Sequence, residues 1–126
     1  MTRYLSFLVL AASLFLIPAA VGREQQDFRE RVRDAAQRTD KDLGQYVHRD
    51  KLDAPQRDRL DAALKDLNEL REAAAAGRLD GERERLERAI ENIDAVAKDG
   101  SISEPDRQTL GIDLYTLRTI LDSWKQ

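Results

Sequence analysis

Lys98-Asp99-Gly100-Ser101-Ile102-Ser103-Glu104-Pro105-Asp106 is the stretch that decides how this chain is read. A glycine, an isoleucine two residues on and acidic residues after it resemble the second half of a calcium-binding EF-hand loop. With Gly100 at loop position 6, positions 1, 3, 5 and 12 fall on Ala95, Ala97, Asp99 and Asp106. A working loop needs oxygen ligands at all four, with a bidentate glutamate at the last. Two alanines supply none. The other reading accounts for every residue. One helix stops at Gly100, which adopts a left-handed turn at no steric cost. The next starts at Ser103, whose hydroxyl accepts a free amide as an N-cap. Pro105 stands in the first turn, where a missing amide hydrogen costs little.

The same punctuation recurs upstream. Asp50-Lys51-Leu52-Asp53 and Gly77-Arg78-Leu79-Asp80 match Gly100-Ser101-Ile102-Ser103. Asp53 and Asp80 become the N-caps, and Gly77 a left-handed stop. Gln56 and Asp106 follow their caps by three residues, as in a capping box. Leu52, Leu79 and Ile102 precede the caps and can fold back as hydrophobic staples.

Between these connectors the apolar spacing repeats. Leu60, Leu64, Leu67 and Leu70 step by four, three and three residues; so do Leu86, Ile90, Ile93 and Val96, and Leu110, Leu114, Leu117 and Ile120. At 100° per residue each set lies on one helical face. Arg57, Arg83 and Arg107 precede the three sets at one spacing. A first segment fits more weakly, with Arg29, Val32, Ala36 and Thr39. Ala35, Ala63 and Ala89 share a flank position where small residues let helices approach closely. Asp113 holds that position in the fourth segment and is expected to pair with an arginine at the bundle edge or to meet solvent. Any antiparallel bundle requires such a repeat, although an ancestral duplication would leave the same trace.

The spacing predicts helices near 24–49, 54–76, 81–98 and 104–124. Short connections favour antiparallel neighbours. The expected fold is all-α: a small antiparallel (up-down-up-down) four-helix bundle over 23–126, after an N-terminal signal peptide over 1–22. Arg3 is the one charged side chain of the n-region, Leu5–Val21 is uncharged, and Ala20 and Gly22 supply small residues for cleavage. The other reading is an uncleaved anchor, marginal because a span takes roughly 20 residues and Pro18 interrupts this one.

The chain has 126 residues, with 24 acidic and 21 basic side chains and a net charge of −3. One domain is the default, and nothing in this balance marks a nucleic-acid surface. Without cysteine there is no disulfide and no lipidated Cys anchor. His48 is the sole histidine, so zinc and Cys–His sites lack ligands. No Gly-rich phosphate loop or Gly-x-Ser-x-Gly elbow occurs. Glu82, Glu84, Glu87 and Glu91 read as a solvated face, with Arg88 within helical reach of Glu84 and Glu87. No catalytic, cofactor-binding or metal-binding residue is expected.

The fourth segment is unlike the others. Ile112, Tyr115, Thr116 and Thr119 form a second stripe opposite the leucines. This helix either sits centrally with neighbours on both sides, or exposes a partner-binding strip at Ile112, Tyr115 and Thr119. The thin, Ala- and Thr-rich stripe of the first helix favours the interior reading. The functional expectation is an exported interaction protein, periplasmic or extracellular, with an unidentified protein partner. It would touch a membrane only through an uncleaved N-terminal segment. The alternative is an envelope structural protein held by Leu5–Val21.

Overall fold

A computed structural model describes the backbone of residues 2–124 and the side chains of 22–124, apart from Tyr46 and Asp50. Four α-helices follow in order: α1 (Thr2–Tyr46), α2 (Ala54–Ala75), α3 (Arg83–Ala97) and α4 (Glu104–Asp122). A single 3-10 turn, Arg49–Lys51, lies between α1 and α2, and no strand occurs among the described residues. Each helix packs on its successor and α4 packs on α1, so all four share one core. The later three helices lie within a few residues of their expected ranges. The first does not: α1 begins at Thr2 rather than near residue 24, because no cap or turn separates the apolar run from the polar one. The side chains of residues 1–21, nearly all of the expected signal peptide, lie outside the described residues. Among those described, no helix is long and apolar enough to cross a membrane.

The repeated spacing becomes the core. Leu60, Leu67 and Leu70 of α2, Leu86 and Ile93 of α3, and Leu110 and Leu117 of α4 are almost fully buried. Each such side chain contributes about 1.5–3 kcal/mol relative to exposure. From α1, Val32, Ala36, Thr39 and Leu43 turn inward. Ala35, Ala63 and Ala89, the small residues of the shared flank position, are all buried.

Two of the helix starts are as expected. Asp53 accepts a hydrogen bond from the amide of Gln56 at 2.9 Å, and Ser103 Oγ accepts one from the amide of Asp106 at 3.4 Å. Leu52 and Ile102 are buried against the core, and Leu79 packs on it half-buried. The stop of α2 is a complete Schellman motif. Gly77 takes φ 71°, its amide donates to Ala74 O at 3.1 Å, and the Arg78 amide donates to Ala73 O at 2.8 Å.

Two connector expectations are corrected. Asp80 does not cap α3. Gly81, at φ 78°, extends the turn, and α3 starts at Arg83 after Glu82, whose side chain makes no capping bond. Gly100 is not left-handed. Asp99 makes that turn instead: its carboxylate accepts the Ser101 amide at 2.8 Å and the Ser101 hydroxyl at 2.6 Å. These bonds hold the Asp99 carboxyl below its ordinary value.

With no Schellman closure, the carbonyls at the end of α3 need another partner. Arg107, one turn into α4, supplies it. Its Nε donates to Ala97 O at 3.2 Å, and its Nη2 donates to Asp99 O at 3.1 Å and to Ile102 O at 3.4 Å. A guanidinium also suits the negative end of a helix. The spacing of Arg57, Arg83 and Arg107 marked this position but not its task. Arg107→Ala is expected to destabilise the fold by about 1–2 kcal/mol in urea titration, since three partly buried carbonyls lose a charged donor. Arg118→Ala, which breaks a half-exposed pair with Asp94, is expected to cost less than about 1 kcal/mol. Equal costs would mean that the clasp contributes no more than an ordinary surface pair.

Candidate functional site

Two features of α4 stand apart from the packing. The first is its outer face. Ile112 is 65% exposed and Tyr115 74% exposed, and Thr119 is exposed beside them. This corrects the interior reading of the second stripe. Leu110, Leu114, Leu117 and Ile120 already fill the core from the opposite face, and no described helix covers the outer one. The thin stripe of α1 is therefore not supplemented by a second buried layer on α4.

The hydroxyls of this face are turned onto the helix itself. Thr116 Oγ1 donates to Ile112 O at 3.2 Å, Thr119 Oγ1 to Tyr115 O at 2.8 Å, and Ser123 Oγ to Thr119 O at 2.9 Å. Back-bonding of this kind satisfies the donors locally. It leaves methyl groups beside Ile112 and the Tyr115 ring, so the strip is less polar than its sequence.

The second feature is Asp113, on the inward flank of α4. It is 2% exposed, and its Oδ2 is buried with no donor in reach. Across the α1–α4 interface it meets the carboxyl of Asp42, and Arg38 of α1 acts on it as a cation. Burial raises the Asp113 carboxyl first, and the hydrogen bond and charge of Asp42 raise it further, to about 7; Arg38 offsets only part of this. Protonation removes the buried charge and gives the carboxyl a donor, which suits its position facing Asp42. The sequence expectation of an edge arginine or solvent is therefore wrong about the partner. The register showed that Asp113 broke an alanine series. It carried no sign that Asp42, far away in the chain, lay opposite.

Several other charges are paired. Asp66 is also buried, between Arg85 at 3.7 Å and Arg88 at 3.5 Å. Arg85 further contacts Glu69, and Glu82 at 2.5 Å. Arg88 thus reaches across to α2 rather than to Glu84 or Glu87, and Glu87 pairs with Arg83 at 2.6 Å. Glu82 belongs to this network and is only half-exposed, while Glu84 and Glu91 face solvent. His48 is exposed just before the 3-10 turn. Among the described residues no three His, Cys, Asp or Glu side chains converge as metal ligands. In the loop examined for calcium, Ala95 and Ala97 lie within α3, and Asp99 is engaged with Ser101.

Asp113 makes stability depend on pH. Its folded value, about 7, lies above the ordinary 3.8, so the folded chain keeps this proton where the unfolded chain has lost it. The contribution is complete below about pH 4 and is lost as pH rises toward 7, at up to about 1.4 kcal/mol per pH unit. Asp94 acts oppositely. A hydrogen bond from Lys98 is the largest cause of its lowered value, so its contribution is lost as pH falls through its folded value, below 3.8. Stability should therefore peak in weak acid. The urea midpoint is expected to fall from pH 4.5 to pH 8, and Asp113→Asn is expected to flatten that slope. A midpoint that rises over this range would refute the assignment.

The chain matches no protein-family model, no curated protein and no solved structure.

Proposed function

We propose that this chain is an exported, non-enzymatic helical bundle that binds a partner protein through the outer face of α4. The observation that carries the reading is the exposed pair Ile112 and Tyr115, flanked by threonines whose hydroxyls are already bonded. An exposed aromatic with an aliphatic neighbour gains most by desolvation against another protein, and tyrosine is enriched at such contacts. The uncharged Leu5–Val21 segment after Arg3, with Ala20 and Gly22 following the apolar core, supports export with cleavage after residue 22. An envelope protein anchored by the same segment is the alternative, and the mass of the mature protein separates the two.

The bundle is up-down-up-down in this reading. Phe28, early in the bundle part of α1, meets Trp124 beyond the end of α4 edge-to-face at 5.2 Å, while Asp42, late in α1, meets Asp113 in mid-α4. Such pairing supports opposed directions for α1 and α4. Arg85, early in α3, reaches Asp66 and Glu69 in the second half of α2. The connections between helices are short, which supports the same arrangement for the other neighbours.

Tyr115→Glu tests the binding surface. Its stability is expected to change by less than about 0.5 kcal/mol, as at an exposed site. A photo-crosslinking residue at position 112 should capture a discrete protein in the envelope fraction, and Tyr115→Glu should abolish that capture. Unfolding of the Tyr115→Glu chain, or capture that survives the substitution, would reject this surface.

A further inference from the structure

Asp113 occupies a position where packing alone asks for alanine. At the matching register α1, α2 and α3 carry Ala35, Ala63 and Ala89, all buried. In α4 the same position is a buried carboxyl whose Oδ2 has no donor. The side chain opposite it on α1 is another carboxyl, Asp42, with Arg38 one turn earlier. The charged groups that α3 brings to α4 lie elsewhere and are matched: Asp94 bonds Lys98 at 2.8 Å and Arg118 at 3.1 Å. A buried carboxylate facing another carboxyl is unfavourable, and protonation of Asp113 relieves both the burial cost and the repulsion.

The attachment of α4 is also the weakest in the bundle. Its interfaces with α1 and α3 are smaller than those of α2 with the same two helices. Its outer face rests on nothing described. The end of α4 is held to α1 by the contact of Trp124 with Phe28. A local unit with few neighbours opens at lower free energy than the whole fold.

We infer that α4 is a proton-controlled latch: it stays docked on α1 while the buried Asp113 carboxyl holds its proton, and it lifts from α1 when Asp113 is ionised. The raised value of Asp113 places the change between weak acid and neutrality. In the lifted state the carboxylate of Asp113 meets water, and α1, α2 and α3 keep the larger interfaces between them.

Amide hydrogen exchange of the full-length chain from pH 5 to pH 8, referred to intrinsic exchange rates, tests the latch. Protection at Leu114 and Leu117 is expected to fall about tenfold per pH unit, roughly 100-fold between pH 5 and pH 7, and then to level. At every pH it should stay below the protection of Leu67 and Leu70 in α2, which marks opening of α4 alone. Asp113→Asn should remove the pH slope in α4. Asp42→Asn provides a second variant, because its amide can donate to the Asp113 carboxylate; the slope should shrink. Protection of α4 that is independent of pH would overturn the latch. So would equal protection of α4 and α2 throughout, which means opening of the whole fold. A slope unchanged in whichever of the two variants folds would do the same.

Discussion

The buried leucines and isoleucines must hold this small domain by packing alone, since the chain has no cysteine and no disulfide to help them. Their burial must outweigh a conformational entropy of about 1–2 kcal/mol per ordered residue, and the surplus for a small domain is narrow. That margin gives weight to the devices that fix the relative placement of the helices. Buried alanines on α1, α2 and α3 let the apolar stripes meet closely. The staples Leu52 and Ile102 join the connectors to the same core. The Asp53 and Ser103 caps satisfy amides that would otherwise be left open at the starts of α2 and α4.

Charge enters this framework in three ways, with different energetic consequences. Arg107 is spent on backbone, satisfying carbonyls at the junction of α3 and α4. Asp66 is buried with cations from a neighbouring helix, and desolvation is offset by pairing. Asp113 is buried with an unpartnered oxygen, and burial raises its affinity for a proton. The third makes one interface conditional, and it does so on the helix that also carries the exposed Ile112 and Tyr115. Docking of α4 and presentation of its outer face are thereby carried by one element.

Periodicity made most of the fold legible. Steps of four, three and three can only be a helical stripe, and the stripes of α2, α3 and α4 are buried as the spacing requires. Caps with a short local geometry were legible too, at Asp53 and Ser103. What stayed hidden depends on backbone choices or on distant chain segments. Gly77 and Gly81 both take the left-handed turn, and the second displaced the start of α3 from Asp80. At Gly100 a neighbouring Asx turn removed the need for it. The contacts of Arg107 with Ala97 and Asp99 depend on how two helices meet, which spacing does not encode. The candidate surface was visible as a stripe, but a stripe alone does not say whether a neighbour covers it. The Asp42–Asp113 contact was visible only as a break in an alanine series.

The turn after α2 carries a constraint on sequence variation. Gly77 sits at φ 71°, and a Cβ there would strike the guanidinium of Arg29 on α1. Any other residue would meet backbone strain and a displaced arginine together. Gly100 has neither restriction: its φ is not positive, and a Cβ added there meets nothing. Alanine at that position would narrow the unfolded ensemble without disturbing the native turn. Two glycines that look equivalent in the connector pattern therefore differ in evolutionary freedom. Among homologous chains, position 77 should stay fixed while position 100 drifts.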